Sequence, residues 1–177
     1  MKRRDFIKLT GAAALAAGCG PAGSQAGSGR TDEGPEEMPL RENPHNGDRV
    51  SLLGFGCMRW PMVDDGKGGR IIDQEAVNQM VDYALEHGIN YFDTSPAYLM
   101  GQSEKAAGTA LSRHPRSTYY IATKLSNFGD QTPEASLRMY HDSFEQLQTD
   151  YFDYYLLHSI GRGGKDAFNK RYVQNGM

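Results

Sequence analysis

Residues 89–124 read INYFDTSPAYLMGQSEKAAGTALSRHPRSTYYIATK, and this stretch decides the class of fold. It opens on Ile89–Asp93 and closes on Tyr119–Lys124, two short apolar runs of the length expected for buried strands. The segment between them, Ser103–Leu111, favours a helix in which Gly108 permits close packing. A strand, a helix and a second strand in this order predict a parallel βαβ unit.

The same alternation continues on both sides of this unit. Val50–Met58 predicts an earlier strand, and Tyr151–His158 predicts a later one. The first helix should begin at the cap Asp73 and end at Gly88. The last helix should begin at Thr132–Glu134, which supplies a cap, a first-turn proline and an acid facing the helix dipole. The predicted apolar faces are Val77, Met80, Val81, Ala84 and Leu85 in the first helix, and Leu137, Tyr140, Phe144 and Leu147 in the last.

Two α/β architectures fit this alternation, an open doubly wound sheet and a (β/α)8 barrel. The first strand leads into Gly54–Arg59, which lacks the third glycine of a dinucleotide fingerprint and opens no helix, so the barrel is favoured. A barrel needs eight strands and about 250 residues. The sequence therefore predicts a partial (β/α)8 TIM barrel of four strand–helix units over residues 48–177. Open edges at its outer strands lead us to expect a missing barrel half or self-association.

Composition sets the broad class of protein. The chain of 177 residues is 38% hydrophobic and 23% charged, as expected for a globular domain. Its formal net charge of -3 argues against a nucleic-acid-binding surface. Two cysteines, Cys19 and Cys57, are too few for a disulfide scaffold.

The first residues have the features of an export signal. Arg3 and Arg4 precede a short run of small residues, Leu9–Ala17, as in a twin-arginine signal. Residues 1–19 end on Ala16-Ala17-Gly18-Cys19, which is similar to a lipoprotein cleavage site; ordinary cleavage near Ala17 is the alternative. Residues 20–47 have almost no aliphatic side chains and predict a flexible linker. We expect an exported protein of the periplasm or cell envelope, with a lipid on Cys19 as a possible anchor.

Four polar side chains follow or end the predicted strands. Asp93, Lys124 and His158 stand at three successive strand ends, and Tyr98 lies in the loop after Asp93. Strand ends are where barrel enzymes place their active sites. Each residue has a structural interpretation as well: Asp93 and Lys124 alone could form an ion pair in a barrel interior. The four together predict a catalytic site.

Several segments give the chain a resemblance to the aldo-keto reductases over about Leu40 to Ile160. They are Ser51–Gly56, Tyr91–Tyr98, Gly101–Glu104, Ala122–Lys124 and Asp150–His158. The resemblance implies reduction of aldehyde or ketone carbonyls with NADP(H), and a catalytic tetrad of Asp93, Tyr98, Lys124 and His158. It also implies that Met58, Arg59 and Asp93 contact the cofactor. The family's main cofactor-binding strands come later than those present here. Exported relatives often continue into an iron–sulfur tail, for which this sequence has no ligand cysteines.

The chemistry of carbonyl reduction explains these residue types. Hydride transfer leaves negative charge on the carbonyl oxygen, which must be protonated. A free tyrosine, with a pKa near 10, is a weak acid at neutral pH, and a neighbouring ammonium such as Lys124 would lower that pKa. Asp93 would hold the ammonium charged, and His158 would orient the carbonyl through a ring N–H. Tyr98 is then the general acid.

Other functions stay open. A cofactor-binding regulatory subunit, or a non-catalytic lipoprotein, could keep the same scaffold. A metal-dependent barrel hydrolase would want paired histidines after the first strand, and Gly54–Cys57 contains none, so no metal site is predicted. Cys57 is interpreted as a small buried residue. Trp60 could line the substrate entrance or pack at the barrel rim.

The predicted export signal can be tested by changing its arginine pair. Replacing Arg3 and Arg4 by lysines should leave the protein unprocessed in the cytoplasm, because the twin-arginine pathway depends on the arginine pair. Cell fractionation and the size of the precursor measure this outcome, with Lys2→Arg as a control that preserves the arginine pair. Normal export of the double-lysine variant would contradict the prediction.

Overall fold

The computed structural model describes residues 37–174. The observed elements agree with the predicted alternation of strands and helices. Two additional hairpins lie near the start of the described residues. In chain order they are β1 (Leu40–Glu42), β2 (Arg49–Ser51), β3 (Phe55–Gly56), β4 (Met62–Asp64), β5 (Arg70–Ile72), α1 (Gln74–Glu86), β6 (Tyr91–Asp93), α2 (Gln102–Leu111), β7 (Tyr120–Leu125), α3 (Pro133–Leu147), β8 (Tyr154–Leu157) and α4 (Gly164–Phe168). A π-helical turn, Asn169–Val173, continues α4.

The centre of the fold is a parallel sheet in the order β3-β6-β7-β8. Each strand pairs with its neighbour in chain order, with Phe92 opposite both Phe55 and Ile121. This confirms the parallel βαβ reading. The described sheet has no reversal of strand order of the kind that marks a doubly wound fold.

The prediction of one strand over Val50–Met58 is wrong. Its first part is β2, which pairs antiparallel with β1, and only the two residues of β3 join the parallel sheet. The side chain of Asn90 binds the backbone of β2: its amide accepts from the Ser51 N–H at 2.7 Å and donates to the Arg49 carbonyl at 2.9 Å. Between the two strands Leu52 is 60% exposed, so an apolar run here does not mean a buried strand.

The predicted linker is also shorter than expected. Strand β1 and the turn that follows it lie within residues 20–47, yet they form a hairpin held against the sheet. The Tyr154 hydroxyl donates to the Asp48 carboxylate at 2.6 Å, and the Tyr120 hydroxyl accepts from the Arg49 N–H at 3.2 Å. Part of the predicted flexible linker therefore belongs to a hairpin that is hydrogen-bonded to the parallel sheet. The predicted signal, residues 1–19, and the earlier part of the linker lie outside the described residues.

Both helix starts agree with the sequence, whereas one apolar face does not. Asp73 accepts a hydrogen bond from the Ala76 N–H at 3.1 Å, and Thr132 accepts from the Ala135 N–H at 3.3 Å. On α3 the predicted core residue Leu137 is 52% exposed, while Ser136 beside it is fully buried. The side of α3 that carries Ser136 therefore faces the core, where α3 lies close to α2, and Leu137 faces outward.

The core lies between the sheet and its helices. Phe92 and Ile121 point from the sheet into a cluster that includes Val77, Val81 and Leu111, each at most 1% exposed. Met80, predicted for the same face of α1, is 39% exposed. None of the helices within residues 37–174 combines the length and apolar character needed to cross a membrane.

Gly108 supplies a test of this packing. A Cβ added at Gly108 on α2 would lie 2.5 Å from the Gln146 carbonyl oxygen and 2.6 Å from the Leu147 backbone. We expect Gly108→Ala to lower the free energy of unfolding by about 1–3 kcal/mol, because α2 and α3 must separate. Urea unfolding measures the change. Gly129→Ala is the matched control, since a Cβ there has no neighbour within 4 Å; equal unfolding midpoints for the two variants would contradict the helix contact.

Candidate active site

The predicted site residues gather at one edge of the parallel sheet. Asp93 is the last residue of β6, Lys124 is the penultimate residue of β7, and His158 directly follows β8. Because the strands are parallel and adjacent, these ends meet at the same edge. The alternation of side chains then decides which of them face the same way.

Lys124 is the most buried of the four, at 8% exposed. Its ammonium donates to Asp93 Oδ1 at 2.5 Å and to the Thr94 carbonyl at 2.7 Å. Burying an ammonium is costly without such partners, and the bonds to Asp93 and the Thr94 carbonyl fix the position of the Lys124 side chain. The Asp93 side chain remains 31% exposed toward the outside of the site.

Tyr98 and His158 complete the group. The Lys124 ammonium lies 4.8 Å from the centre of the Tyr98 ring. The His158 ring meets the Tyr98 ring edge-on, with 5.6 Å between the ring centres and 90° between the planes. All four residues of the predicted tetrad therefore lie together in the fold.

The loop that carries Tyr98 has an unusual backbone. Leu99 and Met100 have φ values of 49° and 54°, in the left-handed region that non-glycine residues seldom occupy. Leu99 packs against the core cluster, whereas Met100 is 92% exposed. Backbone strain of this kind is common beside functional groups, where the surrounding packing maintains it.

His158 is held from two sides. Ring atom Nδ1 lies 2.7 Å from Ser126 Oγ and 3.2 Å from Ser95 Oγ. The backbone carbonyl of His158 accepts from the Tyr172 hydroxyl at 2.7 Å and from the Arg171 guanidinium at 3.0 Å. Burial lowers the pKa of His158, and the positive charges of Lys124 and Arg171 lower it further, against an opposing effect of Asp93. The imidazole is therefore neutral at pH 7.

The sequence analysis did not identify the two serines. Ser126 stands two residues after Lys124, and Ser95 stands two residues after Asp93. Side chains two residues apart on a strand lie on the same face. A serine two residues after each strand-end residue is therefore the one sequence signal that could have identified Ser95 and Ser126. Both serines are buried.

The residues expected to meet a cofactor lie beside Asp93. The Cys57 N–H donates to the Asp93 carbonyl at 2.8 Å, which carries Met58 and Arg59 to the same edge of the sheet, where both are exposed. Cys57 is fully buried, as expected, and burial raises the pKa of its thiol. Trp60 is 4% exposed, stacks on Phe55 and donates to the Ser103 carbonyl, so it packs at the rim.

The side chain of Glu104, on α2, packs against the face of β7 opposite to the face that carries Lys124. Its carboxylate is 2% exposed and accepts a hydrogen bond from Thr123 Oγ1 at 2.5 Å. Burial raises the pKa of Glu104, while hydrogen bonds from Thr123 and Ser143 oppose that shift. Within residues 37–174, His, Cys, Asp and Glu side chains form no group of three that could hold a metal ion.

Comparison with known proteins shows the family to which the chain belongs. The model of the aldo/keto reductase family matches residues 52–163, and the chain belongs to that family. It is 36% identical over 135 residues to L-galactose dehydrogenase of Arabidopsis thaliana, covering 73% of this chain and 41% of the relative. It is 37% identical over 109 residues to D-arabinose 1-dehydrogenase of Saccharomyces cerevisiae, covering 52% of this chain and 32% of the relative.

Solved structures of aldo-keto reductases are also similar to this chain. An aldo-keto reductase from Bacillus halodurans in its holo form has a TM-score of 0.55 and 31% identity, over 68% of this chain and 40% of that protein. An aldo/keto reductase from Brucella melitensis has a TM-score of 0.55 and 26% identity, over 78% of this chain and 47% of that protein. The chain thus spans less than half the length of these relatives.

The buried carboxyl of Glu104 generates a prediction about pH. Its pKa is higher in the folded state than in the unfolded chain, so the folded state is favoured while Glu104 is protonated and loses that advantage as pH rises. Glu104→Gln should keep the bond from Thr123, and its amide can donate to Ser143. We expect the stability of the variant relative to wild type to increase as pH rises from about 4, near the ordinary pKa of a Glu carboxyl, to neutral pH, by on the order of 1 kcal/mol.

Urea unfolding across this pH range measures the difference. Glu145→Gln, at an exposed position on α3, controls for the loss of one negative charge. A Glu104→Gln variant that loses stability relative to wild type as pH rises would show that the ionised carboxylate stabilises the fold.

Proposed function

We propose that this chain is part of an oxidoreductase that reduces aldehyde or ketone carbonyls with NADP(H), with Tyr98 as the general acid. One observation carries the proposal: the Lys124 ammonium, bound to Asp93, lies against the ring of Tyr98 at the edge of the sheet where His158 also lies. A purely structural core would place aliphatic side chains here, because buried polar groups are costly.

Each of the four side chains has a defined task in this reaction. Positive charge on Lys124 stabilises the phenolate of Tyr98 and so lowers the barrier to proton release. Asp93 keeps that ammonium in place, and His158 supplies a ring N–H that orients the carbonyl oxygen. Tyr98 gives its proton to that oxygen as negative charge develops there.

The described residues fit one side of a nicotinamide nucleotide. Exposed Met58 and Arg59 follow β3 directly beside Asp93, and Arg59 offers a cation of the kind that phosphate and ribose oxygens accept. When bound, NADPH would supply the hydride. Met58, Arg59 and Asp93 are the residues that we propose would contact it.

We also propose how the chain is completed and where it works. Four consecutive parallel strands form the first half of a (β/α)8 barrel, and a further chain segment or a second copy completes the barrel at the open edges. The twin-arginine pattern and Cys19 support export to the periplasm or cell envelope with a lipid anchor. A single acyl chain anchors weakly, so more than one is expected.

Tyr98→Phe tests the mechanism. In the protein purified under native conditions from cells that produce it, together with whatever completes the barrel, we expect turnover to fall about 10²–10⁴-fold because the proton donor is lost. Binding of NADPH should stay nearly unchanged. The measurement is NADPH oxidation with a panel of aldehydes and ketones. The panel includes galactose and arabinose, because two relatives are named for these sugars.

Tyr83→Phe is the control, because Tyr83 is 64% exposed on α1, away from the site. Full carbonyl reduction by Tyr98→Phe would overturn the assignment of the general acid. Tight binding of NADPH without reduction of any carbonyl by wild type would favour a cofactor-binding regulatory subunit.

A further inference from the structure

A chain of hydrogen bonds runs from the loop after β6 to the ring of His158. The Ala97 N–H donates to Ser95 Oγ at 3.1 Å. Ser95 Oγ lies 2.8 Å from Ser126 Oγ, which in turn lies 2.7 Å from Nδ1 of His158. Ser95 is fully buried and Ser126 is 6% exposed, so the neighbouring groups decide where these hydroxyl protons point.

The direction of the chain follows from the number of protons. Each hydroxyl has one proton to donate. If Ser95 donates to Ser126 and Ser126 donates to Nδ1, every hydroxyl donates once and accepts once, and Nδ1 is the final acceptor. The reverse direction requires a proton on Nδ1. It then either leaves the Ser95 proton without an acceptor among the described residues or sends the Ser126 proton to the Lys124 carbonyl, 3.4 Å away.

The charges around His158 agree with this direction. Burial lowers the pKa of His158, the positive charges of Lys124 on β7 and Arg171 in the π-helical turn lower it further, and the charge of Asp93 on β6 raises it. Tyr98 meets the ring edge-on, and the Tyr172 hydroxyl donates to the His158 carbonyl. Two cations against one carboxylate disfavour a second proton on the ring, so its single proton is on one nitrogen only.

We infer that Ser126, supported by Ser95, is the positioning residue that fixes His158 in the tautomer with its proton on Nε2. The consequence for catalysis rests on the proposed function: Nδ1 faces the serines, so Nε2 is the nitrogen that can donate to a carbonyl oxygen. Ser126 acts through His158 and does not itself touch the substrate.

The tautomer can be measured without any enzyme activity. In the full 177-residue chain labelled with nitrogen-15, two-bond proton–nitrogen correlation spectra distinguish a protonated ring nitrogen from an unprotonated one. His158→Gln assigns the signals. In wild type we expect an unprotonated Nδ1 and a protonated Nε2. In Ser126→Ala we expect the two nitrogen shifts to approach each other, as in a mixture of tautomers, and the pKa of His158 to rise.

The variants form a graded series. Ser126→Thr keeps a hydroxyl and should restore the wild-type pattern, also showing that the site tolerates substitution. Ser95→Ala should have a smaller effect than Ser126→Ala, because Ser126 can still donate to Nδ1. Ser51→Ala is the matched control: Ser51 is as buried as Ser126, but its hydroxyl donates to the Leu53 carbonyl and not to His158.

A protonated Nδ1 in wild type would overturn the inference, as would an unchanged tautomer and pKa in Ser126→Ala. In the natively purified protein, Ser126→Ala should lower kcat and shift its pH profile while the KM for NADPH is retained. A tautomer change in Ser126→Ala, in a protein that reduces no carbonyl, would support the positioning role of Ser126 and overturn the proposed function.

Discussion

The ion pair between Lys124 and Asp93 is the interaction on which the site depends. An ammonium at the end of a central strand would be costly to bury alone, and the Asp93 carboxylate together with the Thr94 carbonyl compensates that cost. The pair depends in turn on strand register: Asp93 is opposite Ala122, so Lys124 lies two residues further along the same face. A slip of one residue would turn Lys124 into the helix-side core and bring Thr123 to the site.

Strand β7 therefore separates two different environments. On its helix side, Thr123 binds the buried Glu104 carboxylate, and the close contact of α2 with α3 at Gly108 surrounds that pair. On its other side, Lys124 meets the partly exposed groups of the site. Burial raises the pKa of Glu104, and the positive charge of Lys124 on the other face of the strand opposes that shift. The packing of the core and the chemistry of the site thus both constrain the six residues of β7, Tyr120–Leu125.

Much of the fold and site could be predicted from the sequence, for identifiable reasons. Short apolar runs, helix caps and strand-end polar residues are local patterns, and they led correctly to the parallel strands, to Asp73 and Thr132, and to the grouping of the tetrad. Predictions failed where a distant side chain intervened. Asn90 binds the backbone of β2, which pairs with β1 and stays outside the parallel sheet, and the packing of α3 buries Ser136 in place of Leu137. Ser95 and Ser126 were missed because their role depends on the distance of their hydroxyls from His158, which only the folded chain sets.

The sequence by itself determined which residues could do chemistry and that they stand at successive strand ends, because both facts depend on residue type and local spacing. The tertiary structure decided the rest. It placed the Lys124 ammonium against Asp93 and near the Tyr98 ring, paired β1 with β2 as a hairpin, and brought the Ser126 hydroxyl, which lies next to that of Ser95, to Nδ1 of His158. These outcomes depend on distances between residues far apart in the chain, which the packing of strands and helices sets and local spacing does not.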